Sequence, residues 1–347
     1  MNSALMIFPF AAEHAAIVRY ANLSAYSVRG AISPKAWGLC GQDAGFCDNG
    51  NITGVIISDD FNKALNQCDT VFMDFISEKI TPGVYFDRIN ESLSQNKTII
   101  ITQNLEEYLG IPEDKYLNIK VIGQKQAGYS NYINNSLCVI NTPIIFVAGI
   151  GENCNKFDIQ LALRAYFQNK GYNILQFGSR AYSELFGFSQ LPGFLYERLS
   201  FSDKALMFNQ YVSKREKEQN PDLIIVGIPG GYSYMTKKRP NGFGEIALCI
   251  SAALDADVCI LSIYKSYGRQ SDLKEIMAKA SNKLNCRVEF IHEANKRLLY
   301  DPANIEEIGF LTVHTQRNNL DRRVFSVFDN ISTLYVFDEI YNLLAAS

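Results

Sequence analysis

The residues best suited to chemistry lie in the run Val147-Ala148-Gly149-Ile150-Gly151-Glu152-Asn153-Cys154-Asn155-Lys156-Phe157. It joins an apolar strand pattern to an amphipathic helix pattern. A glycine-rich turn at such a junction presents backbone N–H groups at a helix N-terminus, where the macrodipole favours an anion. A lysine at the helix entry reaches phosphate oxygens. Gly149, Gly151, Asn153, Asn155 and Lys156 therefore form a candidate phosphate cradle. The standard pattern ends Gly-Lys-Ser/Thr; here those places hold Asn155, Lys156 and Phe157. Asn tolerates positive φ better than most residues, so Asn155 still allows the turn. Phe157 has no hydroxyl to place on Mg2+. The plainer alternative is a glycine-containing turn with a surface lysine.

A second junction follows the apolar run Asp222–Val226. It reads Gly227-Ile228-Pro229-Gly230-Gly231-Tyr232-Ser233. Gly227, Gly230 and Gly231 let a backbone approach a ligand closely, at the strand end where open α/β sheets bind ligands. Lys237, Lys238 and Arg239 come next, and Asn241-Gly242-Phe243-Gly244-Glu245 then opens a helix pattern. The basic tripeptide, with Asn241 and Glu245, is the candidate substrate-anion site. Its plainer alternative is a solvated loop.

Other constellations are weaker. Lys35–Asn51 reads KAWGLCGQDAGFCDNGN, dense in Gly, Asp and Cys and holding the single tryptophan. It suits an ordered functional loop, but Cys40 and Cys47 fit no standard zinc spacing. Three histidines, His14, His292 and His314, occur without an HExxH or Cys–His pattern, so no metal site is expected. Cys154 lies inside the first loop, where a helix dipole would lower its pKa. Asp69, Asp74, Asp257 and Asp301 stand near predicted strand ends, and Glu152 and Asp158 lie near the loop; any of them is a candidate replacement for the missing Mg2+ hydroxyl.

The elements that position these residues read as two βα series. In residues 1–135, strand patterns at Ala4–Phe8, Tyr26–Ile32, Gly54–Ile57, Thr70–Phe75, Thr98–Thr102 and Asn118–Ile122 alternate with helical ones. This predicts a mostly parallel, Rossmann-like sheet flanked by helices. No GxGxxG follows the first strand, which argues against a dinucleotide dehydrogenase. The polar segment Gln124–Asn141 reads as a linker. A second α/β series fills 142–347, with strands at Pro143–Ala148, Asn173–Phe177, Asp222–Val226, Asp257–Ile263 and Arg287–Ile291, and helices between them and at Leu334–Ala345.

Composition sets the outer bounds. The 347 residues are 47% hydrophobic and 20% charged, an ordinary globular balance. The net charge of −3 lacks the basic excess of a nucleic-acid binder. The longest apolar runs fall far short of a membrane span. Met1–Ala12 lacks a basic n-region and reads as a strand. Eight scattered cysteines then suggest reduced thiols in a cytoplasmic protein. Composition leaves a homodimer open.

The order strand, GxGxxxxK loop, helix, GxPGG turn and basic loop resembles the P-loop fold of dethiobiotin synthetase and related ATP-dependent enzymes over residues 143–265. That resemblance implies a P-loop NTPase-like second domain with ATP or GTP, and Mg2+, as candidate cofactors. Trp37-Gly38-Leu39, Gln42-Asp43-Ala44-Gly45, Gly149–Phe157 with Gln160, Gly227–Gly231 and Asn241–Glu245 resemble a bacterial family described as peptide maturation system proteins. That resemblance implies an accessory role in maturing ribosomally made peptides, with a precursor peptide or a peptide-modifying enzyme as partner. Either nucleotide-dependent activation of a carboxylate or non-catalytic peptide recognition by a relic loop would suit it.

Overall fold

The computed structural model describes residues 2–111, 118–123, 135–235, 240–265, 272–300, 308–314 and 321–346. The chain divides into two compact units. The first comprises residues 1–124 together with 180–190, and the second comprises 125–179 and 191–347.

The first unit runs β1 (Ser3–Phe8), α1 (Ala15–Arg19), β2 (Tyr26–Ile32), β3 (Ile57–Ser58), α2 (Phe61–Leu65), β4 (Thr70–Met73), α3 (Pro82–Ser94), β5 (Thr98–Thr102), α4 (Gln103–Leu109) and β6 (Ile119–Ile122). All pairings are parallel, in the order β3-β2-β1-β4-β5-β6. That is the doubly wound Rossmann order, whose direction reverses between β1 and β4. The strand expected over Gly54–Ile57 is shorter and shifted to Ile57–Ser58, because Gly54 turns at φ 78°. Residues 180–190 join this unit: the Tyr182 hydroxyl donates to the Glu13 carbonyl at 3.0 Å, and Gly123 N–H donates to Glu184 Oε1 at 2.9 Å.

The second unit opens with β7 (Ile144–Gly149), α5 (Lys156–Asn169) and β8 (Ile174–Gly178). After the excursion to the first unit, which holds the two-residue β9 (Ser189–Gln190), come α6 (Phe201–Gln219), β10 (Leu223–Gly227), α7 (Glu245–Ala253), β11 (Val258–Ile263), α8 (Leu273–Leu284) and β12 (Val288–Glu293). The hairpin β13 (Lys296–Tyr300) and β14 (Ile308–Thr312), the short β15 (Val324–Phe325) and α9 (Asn330–Ala345) close it. Its parallel strands run β15-β12-β11-β7-β10-β8. The protein is thus α/β, with two parallel sheets flanked by helices.

Strand alternation explains the burial of β7 on both faces. Ile144, Phe146 and Ala148 enter one core with Phe208 and Tyr211 of α6, Ile250 of α7 and Met277 of α8. Ile145 and Val147 enter the opposite core with Ile159, Leu163 and Phe167 of α5 and Phe337 of α9. β7 is therefore packed on both faces and paired on both edges, with β10 and β11. Among the described residues, no helix is long and apolar enough to cross a membrane.

Candidate functional site

Gly149 ends β7, and the chain turns through Ile150–Asn155 into α5. Two residues of this turn sit in the left-handed region, Asn153 at φ 52° and Asn155 at φ 60°, as expected of asparagine, which tolerates it better than most non-glycine residues. Residues alternating between left- and right-handed conformations turn successive N–H groups inward as an anion nest. Ile150 N–H donates to the Ser262 carbonyl at 3.0 Å. The N–H groups of Gly151 through Lys156 have no partner among the described residues, which leaves a continuous run of donors at the start of a 14-residue helix.

Close packing explains the glycines. A Cβ on Gly149 would lie 2.5 Å from Cys154 Sγ and 3.0 Å from Lys156 Cδ. One on Gly151 would lie 2.4 Å from the Tyr264 hydroxyl. That hydroxyl donates to the Glu152 carbonyl at 2.5 Å, and the Ser262 hydroxyl donates to the Cys154 carbonyl. Ser262 also meets His292 Nδ1 at 2.9 Å, so β11 and β12 brace the loop from beneath. His292 is fully buried, and burial lowers its pKa from 6.5 to about 3. It is a neutral support beneath the loop.

The two glycine-rich junctions meet. The Lys156 ammonium donates to the Gly151 carbonyl at 3.0 Å and to the Gly230 carbonyl, 74 residues further along the chain. Tyr232 N–H donates to the Gly149 carbonyl at 2.9 Å. Gly230 turns at φ 66°, and a Cβ on Gly231 would lie 2.0 Å from Asn241 Nδ2 and 2.6 Å from the Ile150 carbonyl. Gly149, Gly151, Asn153, Asn155, Lys156, Gly230, Gly231 and Asn241 therefore converge. Gly227 lies one layer deeper, against the Gln160 amide, 2.2 Å from where its Cβ would stand. Residues Asn241–Gly244 are all left-handed, including the exposed Phe243 at φ 54°.

Other candidates are placed differently. Lys237, Lys238 and Arg239 lie outside the described residues, as does Asp301. Glu245 accepts an ion pair at 2.7 Å from the buried Lys204, so its carboxylate is already neutralised. Cys154 does not have the lowered pKa expected from its loop position. Burial raises it, and its S–H donates to the Gly151 carbonyl at 3.2 Å. Asp257 lies at the N-terminal end of β11, the end of the sheet away from the loop, where it accepts from Ile144 N–H at 2.8 Å. Asp69 and Asp74 belong to the first unit. There Asp74 accepts from Thr102 Oγ1 at 2.7 Å and pairs with buried His14 Nε2 at 3.1 Å, while His14 Nδ1 accepts from Ala11 N–H. In the Lys35–Asn51 loop the Asp43 carboxylate takes bonds from Gly45 N–H, Thr53 N–H, Thr53 Oγ1 and Gly54 N–H, between 2.7 and 2.9 Å. Those bonds hold its pKa below the usual carboxylate value against the opposing effect of burial.

A Mg2+ ion needs near-octahedral oxygen ligands, usually one or two carboxylates beside the phosphates. At this loop Phe157 is buried and brings no oxygen, Gly227 has no side chain, and Asp158 is engaged by Asn155 Nδ2 at 3.2 Å. Among the described residues no group of three or more His, Cys, Asp or Glu is arranged to hold a metal. Among the described residues, the donor set does not fit Mg2+.

No family model and no curated protein matches the chain. Among solved structures, it is similar to a DUF1611 family protein from Anabaena variabilis. The TM-score is 0.55 at 14% identity, covering 84% of this chain and 88% of that one. At this identity the likeness is one of fold. Partial similarity extends to a GTPase from Pyrococcus abyssi in its apo form (TM-score 0.30, 12% identity, 43% of this chain and 66% of that one). It extends also to cobyrinic acid a,c-diamide synthase from Mycobacterium smegmatis with bound ADP and magnesium (TM-score 0.28, 11% identity, 44% and 74%).

Proposed function

We propose that the second unit binds the phosphate groups of a nucleotide, ATP or GTP, or of another phosphorylated ligand, between the Gly149–Lys156 loop and the Gly227–Gly231 turn. One observation carries this reading: a run of N–H groups at the head of a helix with no partner among the described residues, closed by a lysine that spans both loops. An incoming phosphate would satisfy those donors and draw the ammonium off the two carbonyls. The charge-assisted bonds so formed are the strong kind. Lys237, Lys238 and Arg239 are proposed to hold a substrate anion.

The resemblance of Trp37–Leu39, Gln42–Gly45 and the two loops to peptide maturation system proteins supports a place in the processing of ribosomally made peptides. A precursor peptide or a peptide-modifying enzyme is then the partner. In the catalytic version, the nucleotide activates a substrate carboxylate. The buried Phe157 favours a second reading, in which the protein recognises or scaffolds without turnover.

Calorimetric titration of the purified protein with ATP and with GTP tests the binding claim. Saturable binding that depends on Lys156 is expected. Absence of binding at millimolar concentration would refute it and leave the scaffold reading.

A further inference from the structure

We propose that the Gly149–Lys156 loop takes a di- or triphosphate ester as the free anion, not as its Mg2+ complex, and that it is a site for binding rather than metal-assisted hydrolysis. This rests on the phosphate reading above and narrows it to a ligand class. Three places decide it. The residue after the loop lysine, where the standard pattern carries the metal's hydroxyl, is Phe157, turned into the core. The strand beside β7, whose end faces the helix head, finishes in Gly227. The space its side chain would fill is taken by the Gln160 amide, a neutral group. Gln160 is buried and its Oε1 has no partner among the described residues, so a neutral amide rather than a charged carboxylate stands behind the loop. At the end of β11, the Ser262 hydroxyl is committed to the Cys154 carbonyl and to His292.

Among the described residues, what remains is a positive site built from backbone dipoles and the Lys156 ammonium. The N–H run and Lys156 supply the neutralising charge that a divalent cation supplies elsewhere. The one loop carboxylate, Glu152, is exposed and lies on the Gly230 side, with Oε1 3.7 Å from where a Gly230 Cβ would stand. A single exposed carboxylate does not build an octahedral site. Toward a metal-free phosphate it acts as a like charge.

The test is calorimetric titration of the full chain with ADP and with inorganic pyrophosphate, each in EDTA and in millimolar MgCl2. Binding in EDTA is expected, with Mg2+ leaving the affinity unchanged or weakening it by sequestering the ligand. The exposed-site variant Glu152→Gln should bind about 1.5- to 5-fold tighter in EDTA, the range for removing one solvent-screened charge interaction. Phe157→Thr should gain no Mg2+ dependence, since the β10 end still lacks an oxygen ligand. Tightening by Mg2+ of more than about threefold in the wild type, lost in Glu152→Gln, would overturn the inference while leaving phosphate binding intact. No binding of either probe in either buffer would overturn both.

Discussion

Replacing Lys156 tests how the two loops share one charge. In the unliganded protein its ammonium donates to the carbonyls of Gly151 and Gly230, and it is only half-buried. Half-exposure to solvent screens these charged bonds to about 0.5–1 kcal/mol each, so Lys156→Ala should cost roughly 1–2 kcal/mol of stability. For a unit of this size, 1 kcal/mol corresponds to about 2–4 °C, so the midpoint should fall by roughly 2–8 °C. The effect on ligand binding is larger. A hydrogen bond to a charged group is worth about 1.5–3 kcal/mol, and about 1.4 kcal/mol is tenfold, so nucleotide affinity should fall about 10- to 150-fold. Lys156→Met keeps the aliphatic stem and removes only the charge. It should lose as much affinity as Ala, with a smaller stability cost. Affinity in the wild type should weaken as salt rises, and this dependence should flatten in Lys156→Met. Calorimetry at two salt concentrations and thermal unfolding without ligand provide the readouts. Wild-type affinity in both variants would refute the argument, because it would place the ligand away from the loop.

Gly151→Ala should drive the Tyr264 hydroxyl and Met235 Cε away, since a Cβ would lie 2.4 and 2.7 Å from them. Overpacking of this kind costs about 1–3 kcal/mol, measurable by urea unfolding, and unchanged stability would contradict the packing. His292 ties stability to pH. The unfolded chain protonates it below about 6.5, whereas the folded chain resists until about 3, so its contribution is complete above 6.5 and is lost as pH falls toward 3. The slope is about 1.4 kcal/mol per pH unit, and His292→Gln should flatten it in urea unfolding between pH 4.5 and 7; equal slopes would refute the burial argument. Phe243 is exposed with φ 54°. A left-handed non-glycine residue costs about 1–2 kcal/mol, so Phe243→Asn should stabilise the fold by up to about that amount; a destabilised variant would show that the ring is held by contacts.

The β7 signal was legible because Pro143–Ala148 is continuously apolar and rich in β-branched residues, as a strand covered on both faces is. The βα alternation, the Asn-Gly chemistry of the turns and the helix entry at Lys156 are likewise local, set by periods of two and 3.6 residues and by φ tolerance. Other elements were not legible. The β13–β14 hairpin has no tight-turn signature, and residues 180–190 give no local sign that they pack with the first unit. Asp257 looked like a metal-ligand candidate, but strand direction puts it at the opposite end of the sheet. Local sequence identified Lys156 and Gly230 as members of two separate loops. The strand order that sets β10 beside β7 brought the ammonium of one onto the carbonyl of the other. The same order put Gln160 against Gly227 and Ser262 beneath Cys154. Backbone propensity acts over a few residues, whereas partners for a buried polar group are chosen across the sheet, so the sequence located the loop and the tertiary structure decided which of its donors lack a partner among the described residues.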